Sequence, residues 1–544
     1  MDEQGERGLP PRRPGLRSQL PAGRRNDEAR RAAVRGACGA AQREARPYAA
    51  ERCPPGAGQD RRARLRAHRR SVDGQVRHPP SNHREPDRAD QPAAPDVRGI
   101  PRPCAGHDHP TDRNSRHHRR GLTAIPRLPR LPLRPAVRAA KRAGTPATDL
   151  LARKVFLSAV GRIKIGSLRI ETPDGGRSYS FETASPGPQG ELRIHDDSFY
   201  RRVLTGGEIG FGEAYQDGIC DSPDLEQLIR LAMLNRRAVD LNKGAMRLLS
   251  KRSNLRLHRS RANTKEQSKD NIHAHYDIGN AFFQLFLDST LTYSSAVFAF
   301  EGQLLADAQA NKYQRMCEFA GITAESRVLE IGSGWGGFAM HAAREFGCHV
   351  TTVTISQEQF DLASERIAEA GLSDRIDIRL MDYRDVQGTF DSIVSIEMFE
   401  AVGAEFFETF FLKCAELLKP GGKLAMQVIT VPDRNFEAQK RGVNWIQKYI
   451  FPGGVLPSLA AMEQANARTG LIIASVDRIG KHYAVTLRQW RRTFWDRIED
   501  VRALGYDERF VKTWDYYLAA CEAGFLTNTT DDIQIVFEKP ALAA

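Results

Sequence analysis

The chain has 544 residues, 41% hydrophobic and 27% charged, with a formal net charge of +13. Residues 1–150 hold 32 Arg, 1 Lys and 16 acidic groups, a net of +17, while the rest of the chain, with 47 basic and 51 acidic groups, is at −4. The same 150 residues carry 20 of the 29 Pro and no Phe or Trp, which excludes a compact N-terminal domain, because so little apolar area cannot offset the entropy of ordering it.

Residues 1–150 therefore read as a disordered Arg/Pro arm. Selection for positive charge alone would not exclude Lys so completely. GC-rich DNA read upstream or out of frame does, so the ratio points to a start codon near residue 150. A solvated tail and a basic arm for nucleic acid or anionic lipid are the alternatives. No run of about 18 apolar residues is present, and the Met-Asp-Glu start lacks the apolar stretch of a secretory signal. The eight Cys form no CxxC pairs, so free thiols in a reducing cytoplasm are expected, with no metal site.

From 154 to 181 short alternating runs flank a Pro-Asp-Gly-Gly turn, which predicts strands joined by a hairpin. Residues 191–218 mix a strand with a Gly-rich segment. Residues 221–250 show helical spacing behind an Asp-Ser-Pro-Asp start. A small α+β domain over 151–250 follows. The polar, basic stretch 251–270 reads as a linker before a third unit, 271–544.

In that unit strands and helices alternate. RVLEI (327–331) is a buried strand, and GSGWGG (332–337) a turn that opens a helix over 338–347. HVTTVTI (349–355), a helix over 357–371, and strands at 375–382 and 390–399 come next. A helix over 405–422 and a strand at 423–431 follow. This order predicts an α/β fold with a mainly parallel, doubly wound, Rossmann-like sheet and ligands at the C-terminal strand ends. A bare G-x-G-x-x-G would also suit NAD. Glu330, two places before the first Gly, can meet the ammonium of a methionine moiety, and the second strand ends without the acidic ribose ligand of a dinucleotide site. The turn therefore suits S-adenosylmethionine.

The stretches HYDIGNAFF (275–283), LTYSSAVF (291–298), VLEIGSGWGGFA (328–339), VTISQEQ (353–359), MDYRD (381–385), EMFEAVG (397–403), KYIFPGG (448–454), HYAVTLRQWRRTF (482–494) and WDYYLAACEAGF (514–525) decide a family. Over about 155–540 the chain resembles cyclopropane-fatty-acyl-phospholipid synthases, class I methyltransferases, and is most similar to the branch that includes the plant enzymes. The resemblance implies transfer of the methyl carbon of S-adenosylmethionine, as a methylene, to a cis double bond of a phospholipid acyl chain. The alkene attacks the methyl group, and loss of a proton from the resulting cation closes a cyclopropane ring.

Carried over by residue, the resemblance implies a cofactor set of Tyr293, Ser294, Glu330, Gly332, Ser333, Gly334, Trp335, Gly336, Gly337, Thr354, Gln359, Tyr383 and Arg384. It implies a bound bicarbonate as base, held by Glu400, Gln427, Ile429, Tyr483 and the backbone near Ser295. Ser295 stands where the family often has Cys, and Gln427 where many bacterial members have His. Cys521 matches a Cys once proposed as catalytic, but the chemistry needs no thiolate, so it reads as lining. Trp445, Tyr449, Phe451 and Trp495 are the aromatic candidates around the acyl chain.

The partner is then a phospholipid bilayer, met peripherally from the cytoplasm at the inner face of the membrane through Arg236, Arg237, Lys243 and the basic run 251–261. The resemblance also suggests a homodimer. A methylene- or methyl-branched product is the nearest alternative. A nucleic-acid methyltransferase is a further one, opposed by the net charge of −4 and by the missing Asn/Asp-Pro-Pro-Tyr/Phe motif.

Overall fold

The computed structural model describes residues 146–173, 177–239 and 278–541, with the side chains of 146 and 147 left undescribed. The expected linker at 251–270, and the arm up to residue 145, lie outside the described residues.

Helix α1 (Pro146–Val160) opens the described chain. Ala152, Phe156 and Val160 recur every fourth residue and are all buried, the spacing of one helical face. That corrects the strand expected from residue 154, because the local alternation hid the longer period. The boundary expected at 150 falls inside this helix. Next come β1 (Ile165–Glu171), β2 (Ser178–Glu182), β3 (Ser185–Ile194), α2 (Ser198–Gln216), β4 (Cys220–Asp221) and α3 (Leu225–Asn235). They form a four-stranded sheet of order β2-β1-β3-β4. The β1/β2 pair is the expected hairpin. The Gly-rich segment is helix α2, kinked at Gly207, where φ is +57°. Asp224 caps α3 by accepting from the Gln227 N–H, as the Asp-Ser-Pro-Asp start predicts.

At the end of α3, buried Asn235 fixes that helix to β1. Its Oδ1 accepts from the N–H groups of Lys164 (2.7 Å) and Ile165 (3.1 Å), and its Nδ2 donates to the carbonyls of Ile165 and Leu231, both at 2.9 Å. All four capacities of the amide are used. Asn235→Ala leaves these backbone groups unpaired and is expected to cost about 2–3 kcal/mol. Urea unfolding measures it, and a cost below about 0.5 kcal/mol would show that water replaces the amide freely.

The second part runs α4 (Asn280–Phe286), α5 (Leu305–Ala320), β5 (Arg327–Ile331), α6 (Gly337–Phe346), β6 (His349–Thr354), α7 (Gln357–Glu369), β7 (Ile376–Leu380), β8 (Phe390–Ile396) and α8 (Phe407–Leu417). Then follow β9 (Leu418–Thr430), α9 (Asp433–Lys440), α10 (Trp445–Tyr449), α11 (Leu459–Asn466), β10 (Ile472–Arg478), α12 (Gly480–Asp496), α13 (Ile498–Ala503), α14 (Glu508–Leu526) and β11 (Asp531–Glu538). The seven strands lie in the order β10-β11-β9-β8-β5-β6-β7. β9, β8, β5, β6 and β7 are parallel, and β11 and β10 add antiparallel pairs. The fold is thus a mixed α/β, mainly parallel, doubly wound sheet of the class I methyltransferase type. The helix expected over 405–422 stops at Leu417, and the following residues already pair with β8.

The chain leaves β5 toward β6 and β7, then returns to the other side for β8 and β9. The switch point therefore lies between β5 and β8, where the C-terminal ends of parallel strands form a crevice. The small sheet packs against this part through one continuous apolar core that holds Leu168, Ile170 and Phe199 together with Trp335, Trp490 and Trp514. Tyr215 of α2 donates to Asp515 Oδ2 (2.6 Å), and Arg491 and Trp495 donate to Asp515 Oδ1, both at 2.7 Å.

Candidate active site

A cavity of about 430 Å³ opens at the switch point. Its first wall is the turn after β5. Gly332 there has φ +98°, in the left-handed region that favours glycine. At Gly337, the first residue of α6, an added Cβ would come 2.4 Å from Tyr313 Oη, so only glycine lets the helix start this close to α5. Tyr293, Ser294, Glu330, Gly332, Ser333, Gly334, Trp335, Gly337, Thr354, Gln359, Tyr383 and Arg384 all line this cavity. Gly336, also expected here, caps α6 with φ +83°.

Several of these side chains are tied. Thr354 Oγ1 donates to Gln359 Oε1 at 2.8 Å, and Trp335 Nε1 to Asn280 Oδ1 at 2.8 Å. Arg384 is held by Asp382 through two bonds of 2.8 and 2.6 Å, which fixes the fork beside Tyr383. Glu330 accepts from Thr352 Oγ1 at 2.6 Å, and burial pushes its carboxyl up to about 8.

Its place two residues before the first Gly sets Glu330 where the cofactor's ammonium is expected, and only the ionised carboxylate pairs with it. Since the raised pKa leaves the group mostly protonated at pH 6, binding must follow its ionisation. Affinity for S-adenosylhomocysteine is therefore expected to rise about tenfold between pH 6 and 7.5, and Glu330→Gln should flatten that slope. Calorimetric titration at the two pH values measures it, and an unchanged slope in the variant would remove Glu330 from the contact.

The opposite wall gathers carboxylates. Glu397 follows directly after β8, with φ +49°. This is a left-handed conformation that a non-glycine residue adopts at a cost of about 1–2 kcal/mol. Its Oε1 accepts from the Ser295 N–H and from Gln427 Nε2, both at 2.8 Å, and its Oε2 from Tyr483 Oη at 2.6 Å. Gln427 also donates to the Ser295 carbonyl (3.2 Å) and accepts from Gln534 Nε2 (3.0 Å) on the paired strand. Glu400 accepts from the Ile429 N–H at 2.5 Å, while its Oε2 has no partner among the described residues. Burial, then the nearby Glu397, pushes Glu400 up to about 8.

Under this wall lies Lys312, fully buried, donating to Ser294 Oγ at 2.6 Å. Burial lowers it to about 8 against the pull of Glu397 and Asp532. Burial and the Glu397 charge raise Asp532 well above the carboxylate range.

The expected set is thus brought together, but around a residue the sequence reading passed over. Glu400, Ile429, Tyr483 and Cys521 line the cavity with Glu397. Ser295 and Gln427 are completely buried and reach Glu397 from behind. The Cys521 thiol is pushed up to about 12 by burial, which keeps it an unreactive lining group.

The donors expected to hold bicarbonate are engaged by the protein's own carboxylates. Ser295, Gln427 and Tyr483 serve Glu397, and Ile429 serves Glu400. The residues present do not fit a second small anion there. Glu397 is the first residue of EMFEAVG; the strand expected to run to 399 stops at Ile396, which puts Glu397 one place past its end.

Among the expected aromatics only Phe451 lines the cavity. Trp445 is buried and donates to Gln216 Oε1 (3.2 Å), and Tyr449 donates to Glu213 Oε1 (2.7 Å), so both serve to dock α2. Trp495 lines a separate cleft. The rest of the cavity is walled by Phe451, Leu456, Leu487, Tyr516, Tyr517 and Phe525, with Glu208 and Met233 contributed by the small-sheet part. Tyr483 stacks on Phe525, with ring centroids 4.5 Å apart.

The profile of the mycolic acid cyclopropane synthetase family matches residues 263–535. The chain belongs to this family. It is an S-adenosylmethionine-dependent methyltransferase that modifies lipids. A tuberculostearic acid methyltransferase of Mycobacterium tuberculosis is 39% identical over 390 residues, 68% of this chain and 86% of that protein. The cyclopropane-fatty-acyl-phospholipid synthase of Escherichia coli is 34% identical over 357 residues, 64% of this chain and 88% of the synthase. A solved cyclopropane synthase from Mycobacterium tuberculosis superposes with a TM-score of 0.47 at 28% identity, over 50% of this chain and 98% of that one.

Proposed function

We propose that the protein transfers the methyl carbon of S-adenosylmethionine, as a methylene, to a cis double bond of a phospholipid acyl chain and closes a cyclopropane ring. The observation that carries this is one cavity running from the glycine turn, past Glu397 and Glu400, to the aromatic wall of Tyr516, Tyr517 and Phe525. That wall supplies apolar area for the alkene, and ring faces that tolerate a passing cation. The Glu330-to-Gly337 turn with Tyr293, Ser294, Thr354, Gln359, Tyr383 and Arg384 forms the cofactor end. Tyr483, Glu400 and the Ile429 N–H border the reacting atoms.

The second reading is a methylene- or methyl-branched product. It is favoured by the 39% identical relative, which is named for tuberculostearic acid. The two part after methyl transfer: loss of a methyl proton with closure onto the cation gives the ring, whereas a 1,2-hydride shift before that loss, or loss of a proton from a neighbouring chain carbon, gives a branched alkene. The test is incubation with methyl-labelled S-adenosylmethionine and vesicles of cis-unsaturated phospholipid, followed by mass spectrometry of the fatty acids. One added CH2 without a remaining double bond supports the ring. A retained double bond supports the branch, and no label in lipid defeats both.

No helix among the described residues is long and apolar enough to cross a membrane. We propose peripheral docking at the inner face of the membrane, with exposed Arg236 and Arg237 among the contacts. Lys243 and the run 251–261 lie outside the described residues.

A further inference from the structure

The carboxylate of Glu397 is held as a reacting group is held. Its backbone adopts φ +49° directly after β8, fixed by its N–H donating to the Gln427 carbonyl at 2.8 Å. Strained conformations of this kind persist where the surroundings enforce them, and they cluster at functional sites. Three donors on three different elements converge on its two oxygens: the Ser295 N–H before α5, Gln427 Nε2 on β9 and Tyr483 Oη on α12. These are three of the groups that the family resemblance assigns to a bicarbonate ion. Part of the Glu397 surface still faces the cavity, beside Glu400 and Ile429.

We propose that Glu397 is the built-in base of the reaction, its carboxylate standing where the family resemblance places a bound bicarbonate, so that turnover needs no bicarbonate. The inference rests on the lipid reading given above.

The step balances without a further reactant. The π electrons of the alkene bond to the methyl carbon, the C–S bond breaks, and its electron pair stays on sulfur as S-adenosylhomocysteine. A Glu397 oxygen then takes a proton from the new methyl group. The C–H pair closes the third ring bond, and the carboxylic acid loses its proton after product leaves.

The neighbours suit this division of roles. Three donors and the nearby Lys312 favour the accepting, ionised form of Glu397 against burial, which raises its carboxyl. Glu400 has a single backbone donor and an unpartnered oxygen, and Asp532 lies beside the Glu397 charge. Burial and that charge push both carboxyls up, Glu400 to about 8, while Lys312 pulls Glu397 the other way. Placing two carboxyl groups in unlike surroundings is how a site assigns acid and base roles.

The experiment has three arms. Wild-type turnover with methyl-labelled cofactor and cis-unsaturated vesicles is measured in CO2-free buffer, with and without millimolar bicarbonate; an unchanged rate is expected. Glu397→Gly, which suits the positive φ and opens the slot, should retain binding of S-adenosylhomocysteine. It should lose about 100-fold in turnover and regain part of it on addition of bicarbonate or formate. In the third arm, the ¹³C-bicarbonate resonance should broaden with Glu397→Gly in its S-adenosylhomocysteine complex, and not with the wild type.

Wild-type turnover that stops without bicarbonate overturns this inference alone, as does bicarbonate binding to the wild type or full turnover in Glu397→Gly. A wild type that labels no lipid overturns the lipid reading and this inference together.

Discussion

Replacing Lys312 with Met is expected to lower folding stability by about 3–5 kcal/mol, the cost of stripping a buried charge of its partner. Methionine keeps the length of the side chain and its contact over the Tyr313 ring, so the loss is one of charge rather than of volume. The Glu397, Asp532 and Glu330 carboxyls all act on the Lys312 ammonium, and without it any ionised member loses a compensating charge in a medium that solvates it poorly. The variant answers by protonating carboxyls, which raises their folded-state pKa further above the unfolded value. Stability gained that way is present at low pH and is lost as pH rises through the folded-state pKa. The penalty should therefore be larger at pH 8 than at pH 5.5. Urea unfolding at both values measures it; equal penalties would mean that packing, not charge, is what Lys312 supplies.

Gly337→Ala should weaken binding of S-adenosylhomocysteine by about 100-fold, the scale of loss for a displacement near 1 Å at a reacting site. The new methyl group would fall 2.4 Å from Tyr313 Oη. That hydroxyl cannot swing away cheaply, because it is buried and bonded to Thr292 Oγ1 at 2.5 Å. The start of α6 must retreat instead, and it takes the turn with it. Tyr313→Phe removes the blocking atom, so the double variant Gly337→Ala/Tyr313→Phe should recover most of the affinity. Two residues in contact couple in this way, whereas independent ones add. Additive losses in the calorimetric cycle would show that the turn fails for another reason.

Much of this was legible in the chain itself. Strands β5 to β9 announced themselves as apolar runs alternating with helical stretches closed by Gly or Pro-Gly-Gly, and Glu330-to-Gly337 marked the cofactor turn through its glycines. What was hidden depends on three dimensions. α1 passed as a strand because Val155 and Leu157 alternate with Phe156 over too short a window. Trp445 and Tyr449 looked like lipid contacts, since nothing in their neighbourhood says that Gln216 and Glu213 of α2 wait opposite them. Glu397 was overlooked beside Glu400 because a positive φ has no spelling in a sequence, and because its three donors come from residues 295, 427 and 483.

The small sheet has a consequence for inheritance. Glu208 and Met233 belong to the segment before residue 240 and still line the cavity. A recombination event that exchanged this segment between two relatives would carry a portion of the substrate wall across and leave the catalytic sheet untouched. On the acyl-chain reading proposed above, preference for one chain over another would then drift through an appendage that holds none of the chemistry, and chimaeras joined near residue 240 would map it.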